Sequence, residues 1–270
     1  MTRADQSSAP DDADSHAVLH KFAPLLSLLR EKMLALPPYM TQAPTSSSST
    51  HTSTSGSTAA KTRQDQSQSA SAEEKYVEEL RPHAFRMVQM DYSSHLYKRY
   101  IDESANANVS RQRMSRILKE VASLTTSMPV HFASSICVRV DETRPDVIKA
   151  MITGPEDTPY ANGCFIFDIF LPQQYPAVPP MVSLITTDGG RVRFGPNLYN
   201  TGKVCLSLLG TWSGPGWDPK VCTVLQVLVS IQSLILNEQP FFNEPGYEFS
   251  TQTPDSELYN TCVSYQALFS

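Results

Sequence analysis

Three runs decide the fold: Ile136–Cys137–Val138–Arg139–Val140–Asp141, Val147–Ile148–Lys149–Ala150–Met151–Ile152–Thr153, and Cys164–Phe165–Ile166–Phe167–Asp168–Ile169–Phe170–Leu171. In the first, Ile136, Val138 and Val140 alternate with Cys137, Arg139 and Asp141. Ile148, Ala150 and Ile152 share one face of the second, and Phe165, Phe167, Ile169 and Leu171 one face of the third. A period of two is the pattern of a strand. A fourth short run covers 181–186. The links are short and include the turn signal Ala161–Asn162–Gly163. Consecutive strands on short links predict a four-stranded antiparallel meander.

Outward from the meander the period becomes helical. Upstream, Met114, Ile117, Val121 and Leu124 repeat at helical spacing behind Ser110, a capping residue. Arg111, Arg113, Arg116 and Lys119 form the polar face of that N-terminal helix. Downstream, Val224, Leu225, Val227, Leu228, Ile231, Leu234 and Ile235 predict a helix that is apolar on much of its surface, hence a core helix. A last helix is expected from Asp255 or Ser256 to the end. The order of helix, strands, long loop and helices defines an α+β domain.

Further out the composition changes. The chain has 270 residues, 40% hydrophobic and 18% charged, below the usual share in both classes. Residues 41–72 explain the dilution: 17 of the 32 are Ser or Thr, and none is Leu, Ile, Val, Met or aromatic. Such a linker buries too little to offset its ordering entropy and is expected to be disordered, as are residues 1–15. Between them, 16–40 carries Val18, Leu19, Phe22, Leu25, Leu26, Leu29, Met33 and Leu36, an amphipathic helical segment interrupted at Pro24. Residues 73–109 read as a helical extension rich in aromatics, and 110–270 as the core domain. The final helix is short, which suggests truncation at the C-terminus. No apolar run reaches the ~18 residues of a membrane span. The net charge of −5 argues against nucleic acid as a partner. Five cysteines, an odd number without a C-x-x-C pair, argue against a zinc site. They point to free thiols in a reducing compartment, cytoplasm or nucleus.

Function is expected in the irregular stretch 187–222, which holds Asn197, Cys205 and both tryptophans, Trp212 and Trp217. Nucleotide-binding readings fail there. Gly202–Lys203 lacks the earlier glycine and the following Ser or Thr of a phosphate loop, and Gly214–Pro215–Gly216 lacks a third glycine. A phosphatase loop fails because Thr211 stands where arginine is needed. A cysteine hydrolase needs a histidine base, and all six histidines precede the strand region. What remains is a thiol without an evident base. With an ordinary pKa of about 8.5, a few per cent of such a thiol is ionised near neutral pH. That suffices to attack an activated thioester and is poor equipment for an amide.

At this point a family resemblance becomes specific. Thr153–Gly154–Pro155–Glu156–Asp157–Thr158–Pro159–Tyr160 with Gly163 and Phe165 resembles the strand 2–3 turn of ubiquitin-conjugating enzymes. Tyr175–Pro176 with Pro179–Pro180 resembles their proline-rich turn. Pro196–Asn197, followed by Gly202–Lys203–Val204–Cys205–Leu206, resembles their active-site signature, and Trp217 with Pro219 completes the order. The four motifs cover about residues 110–265. Pro196–Asn197–Leu198–Tyr199–Asn200, Cys205–Leu206–Ser207, Thr211–Trp212 and Asn243–Glu244–Pro245–Gly246–Tyr247 look most like the giant BIR-repeat-containing type, and no BIR repeat is present here.

The resemblance implies that Cys205 takes ubiquitin as a thioester from an activating enzyme and passes it to a substrate lysine or a ligase cysteine. The other four cysteines then read as packing residues. Asn197 would donate to the oxyanion or hold the loop, and Glu244 would be an acidic gate for the incoming lysine. Arg111, Arg113, Arg116 and Lys119 would contact the activating enzyme, and Trp217 and Pro219 a partner. The family usually has histidine where this chain has Gly195, which implies a less rigid loop. Ala177 replaces the large apolar residue of a ring-ligase interface, which fits conjugation without a separate ligase. No bound cofactor or metal is implied; ATP is consumed by the activating enzyme. The alternative from another class is an inactive ubiquitin-binding or scaffold module of the same fold.

Overall fold

The computed structural model describes residues 72–107, 110–247 and 253–269. The expectations for 1–15, 16–40 and nearly all of 41–72 lie outside the described residues. The chain enters through helix α1 (72–80), strand β1 (Phe85–Val88) and helix α2 (Lys98–Ser104). Helix α3 (Arg111–Ser127) follows, then β2 (Ile136–Asp141), β3 (Val147–Thr153), β4 (Cys164–Phe170) and β5 (Met181–Leu184). The long loop leads to α4 (Val224–Ser230), which widens into a π turn over Ile231–Ile235, and to α5 (Pro254–Phe269).

The antiparallel meander β2–β5 is as expected, but the sheet has five strands in the order β1-β2-β3-β4-β5. β1 pairs parallel to β2, Phe85 opposite Val138. The expected helical extension therefore contains a strand. Phe85–Arg86–Met87–Val88 is too short to show its period beside the helical stretches around it.

The register explains both faces of the sheet. Val138, Ala150, Phe167 and Leu184 stand side by side and are buried in the main core with Val224, Val227, Leu228 and Ile231. The opposite face carries the row Arg139, Lys149, Asp168 and Ser183. Lys149 and Asp168 are fully buried as an ion pair. A buried charge must be paired and hydrogen-bonded, and the extension supplies the partners. Asp168 accepts from Leu96 N at 2.8 Å, Asp141 from Met90 N at 2.8 Å, and Arg139 donates to the His83 carbonyl at 2.9 Å. Residues 83–104 are thus fastened across the sheet by its own charges.

The helix ends follow their capping residues. Ser110 Oγ accepts from Arg113 N at 3.1 Å, as its position predicts. Thr223 and Gln226 form a reciprocal capping box at the start of α4. Glu120, 2% exposed, joins three elements: it accepts from Arg116, from the Tyr175 hydroxyl at 2.6 Å and from Val224 N at 3.0 Å.

Candidate active site

The site is a hairpin that the local sequence folds tightly. Leu198 and Val204 bridge antiparallel, and Lys203 bridges Ser183 of β5. Gly202 makes the turn possible at φ +82°, and a Cβ there would lie 2.6 Å from the Leu184 carbonyl oxygen. Leu198 and Val204 point into the core at 0% and 2% exposure. Side chains alternate along a strand, so Asn197, Tyr199, Lys203 and Cys205 share the other side of the hairpin.

On that side Asn197 and Cys205 are paired directly. Cys205 N donates to the Asn197 carbonyl at 2.8 Å, and Asn197 Nδ2 donates to the Cys205 carbonyl at 2.9 Å. The reverse amide orientation would set oxygen against oxygen, so the carbonyl fixes which way the amide points. After the cysteine, Thr211 Oγ1 accepts from Leu206 N at 3.0 Å and donates to the Val204 carbonyl at 2.8 Å. The cysteine is stapled on both sides.

Tyr199 carries two cations: the Arg193 guanidinium 4.2 Å from the ring centroid and the Lys203 ammonium at 5.6 Å. Arg193 also donates through Nε to the Gly195 carbonyl at 3.1 Å. Cys205 is 2% exposed. Burial holds its thiol above the ordinary value, and Lys203 and Arg193 offset part of that rise. Cys137 and Cys164, by contrast, are pushed by burial up to about 12 and about 11, as packing cysteines should be. Cys262 departs from the packing expectation and is exposed on α5.

The glycine in place of histidine does not leave the loop slack. Tyr160 donates to the Phe194 carbonyl at 3.2 Å, and the Phe194 ring meets Phe165 edge-on at 5.1 Å. A Cβ at Gly195 would lie 3.3 Å from the Tyr160 hydroxyl and 3.7 Å from that of Tyr259. A side chain at this position would be tight against Tyr160 and in ordinary contact with Tyr259. Tyr160 is itself set by the turn before it, where Gly154 passes so close that a Cβ would meet the Tyr160 carbonyl oxygen at 1.7 Å.

The basic face of α3 is smaller than the sequence suggested. Arg113 is 6% exposed, paired with Asp146 at 3.0 Å and donating to the Pro172 and Leu171 carbonyls. Arg116 is held by Glu120 and by the Pro219 and Cys222 carbonyls. Only Arg111 and Lys119 of the four are exposed. Trp217 turns inward: its Nε1 donates to the Pro176 carbonyl at 2.7 Å and its ring tilts on Tyr175 at 5.8 Å. Pro219 contributes a carbonyl to Arg116. Both brace the loop, Trp217 half-buried and Pro219 exposed. Glu244 is exposed beyond the short turn Pro240–Asn243 and raises the Tyr259 hydroxyl electrostatically, after burial and against Arg193.

Sequence reading missed Arg193, Tyr160 and Tyr259. Tyr160 stood inside a recognised motif; nothing local distinguished the other two, because their role comes from tertiary placement.

Among the described residues, the hairpin thus sets the Cys205 thiol on a backbone bonded twice to Asn197. The chain belongs to the ubiquitin-conjugating enzyme family, whose model, described as "Ubiquitin-conjugating enzyme", matches residues 116–263. The human dual E2 ubiquitin-conjugating enzyme/E3 ubiquitin-protein ligase BIRC6 is similar, 52% identical over 194 residues, covering 67% of this chain and 4% of that protein. A probable ubiquitin-conjugating enzyme, protein 17 of Caenorhabditis elegans, is 52% identical over 159 residues, covering 58% of this chain and 22% of its own length. A solved Toxoplasma gondii ubiquitin conjugating enzyme E2 domain is 23% identical with a TM-score of 0.41, covering 57% of this chain and 95% of that one. The chain thus spans less than a quarter of the length of these two curated relatives.

Proposed function

We propose that this chain is an active ubiquitin-conjugating enzyme that carries ubiquitin on Cys205. The observation that carries this reading is the reciprocal pairing of Asn197 and Cys205 on one face of the hairpin. The Cys205 thiolate attacks the thioester of a charged activating enzyme, and that enzyme's sulfur leaves. An acceptor amine then attacks the new thioester, and Cys205 leaves as thiolate. Asn197 holds the loop, and its amide is the donor to the oxyanion. Glu244 serves as the acidic gate for the incoming lysine.

The partners are ubiquitin, an activating enzyme that consumes the ATP, and protein substrates. No bound cofactor is needed. Arg111 and Lys119 are the residues left to meet the activating enzyme. Transfer without a separate ligase is supported by Ala177 and by the dual name of the human and mouse relatives. The cytoplasm or nucleus is the expected location, supported by five free cysteines.

A second reading, a non-catalytic ubiquitin-binding module, draws on the burial of Cys205 at 2% exposure. Incubation with activating enzyme, ATP and ubiquitin separates the two. A thiol-reducible adduct that vanishes with Cys205→Ala supports conjugation. Ubiquitin binding without an adduct supports the module.

A further inference from the structure

We propose that Arg193 and Lys203, gathered on the Tyr199 ring, are positioning residues that hold positive charge beside Cys205 through both half-reactions. The inference rests on the reading of Cys205 as the ubiquitin-accepting thiol.

The argument starts from a deficit. A thiol used as a nucleophile needs its thiolate, and burial works against a charged sulfur. Among the described residues, no histidine acts on the Cys205 thiol. Something else must favour the anion.

The hairpin supplies it. Asn197 faces Cys205, and Tyr199 faces Lys203 one pleat along, about 7 Å by strand geometry. Tyr199 N donates to the Lys203 carbonyl at 3.0 Å, which fixes this register. Arg193 reaches the same side from before the hairpin, its guanidinium 4.2 Å from the Tyr199 centroid. Its Nε–Gly195 contact keeps it there. Both cations are exposed. Among the described residues neither makes an ion pair with a carboxylate, whereas neighbouring Arg191 is paired with Asp188 at 2.8 Å. Two cations whose charge is not cancelled locally therefore flank the thiol. The charged groups acting on Cys205 are these two. From α5 and the preceding turn, Tyr259 and Glu244 act on each other, and Arg193 acts on Tyr259.

Positive charge there serves each step. In charging, Cys205 gives its proton to solvent and its sulfur forms the new C–S bond while the activating enzyme's C–S bond breaks. The cations favour the attacking thiolate. In transfer, the acceptor nitrogen forms the isopeptide bond, the C–S bond to Cys205 breaks, and the amine proton goes to solvent. The cations now favour the departing thiolate. They also disfavour an ammonium beside them, since a like charge lowers a lysine pKa, so the acceptor arrives more readily as the neutral amine.

The test reads the thiol itself and needs no activating enzyme. The rate of iodoacetamide alkylation at Cys205 is followed by mass spectrometry of its peptide from about pH 6 to 10 in the full chain. Arg193→Gln and Lys203→Gln should each slow alkylation near pH 7 by about three- to tenfold, and the pair by more. Arg193→Lys with Lys203→Arg should keep the wild-type profile. Wild-type alkylation at neutral pH should slow several-fold as salt screens the cations, a readout that no folding defect in a variant can affect. An unshifted profile in the double glutamine variant, or a wild-type rate indifferent to salt, overturns the proposal. If alkylation behaves as expected and no ubiquitin adduct forms, the conjugating function fails while the electrostatic role of the pair stands.

Discussion

Asn197 and Cys205 are bound to each other twice: the cysteine N–H donates to the asparagine carbonyl at 2.8 Å, and the asparagine amide donates to the cysteine carbonyl at 2.9 Å. The side chain therefore holds the backbone that carries the thiol. Asn197→Ala removes the amide that holds the loop and that, in the proposed mechanism, donates to the oxyanion. Transfer from a preformed thioester should fall on the order of 10²–10³, while charging is affected less. Single-turnover discharge to free lysine measures this, and discharge within threefold of wild type would rule out the amide role.

Tyr160 braces the loop beside Gly195 by donating to the Phe194 carbonyl at 3.2 Å. Tyr160→Phe deletes one donor to the Phe194 carbonyl and should cost about 1 kcal/mol in urea unfolding. Gly195→His must push past the Tyr160 hydroxyl, 3.3 Å from the new Cβ, and should destabilise at least as much. A stabilised Gly195→His variant would contradict this packing.

Acid should release a buried anchor. Burial alone would push the Asp146 carboxyl up, but Arg144 and Arg113 hold it below the usual carboxylate range. A depressed carboxylate adds stability above its unfolded pKa of about 3.9 and loses it as pH falls through the lower folded value. Melting temperature should be flat near neutral pH and fall below about pH 4. In Asp146→Asn that fall should be shallower, and Arg113 left without its anion should cost about 3–5 kcal/mol at pH 7.

The extension should be part of the folding unit. A chain beginning at residue 110 loses β1 and the buried Leu80, Ala84, Met90 and Ile101. It also opens the Lys149–Asp168 pair and Arg139 to solvent. Expressed alone, 110–270 should aggregate or melt far below 72–270 in a thermal shift comparison. Equal melting would show that the extension is an accessory.

Much of this was legible in the sequence because the signals are periodic or local. The meander, the Ser110 cap and the core helix follow from spacing, and Cys205 stood out through Asn197 and Gly202 before it. Strand β1 was not legible: four residues show no period, and their pairing with β2 lies some fifty positions away. Arg113 read as part of the basic face offered to the activating enzyme because its anion, Asp146, lies on another element. The bond from Trp217 to the Pro176 carbonyl was hidden for the same reason. Arg193 gained its place only when Tyr199 turned beneath it. Long-range pairing, rather than composition, assigns these roles.

The central claim is that Cys205 is the ubiquitin-bearing thiol. Intact-mass measurement after incubation with activating enzyme, ATP and ubiquitin tests it most directly. The account predicts one ubiquitin per chain, removed by a thiol reductant, absent in Cys205→Ala and retained in Cys262→Ala. An adduct that survives Cys205→Ala, or none on wild type beside a control enzyme that charges, would contradict it.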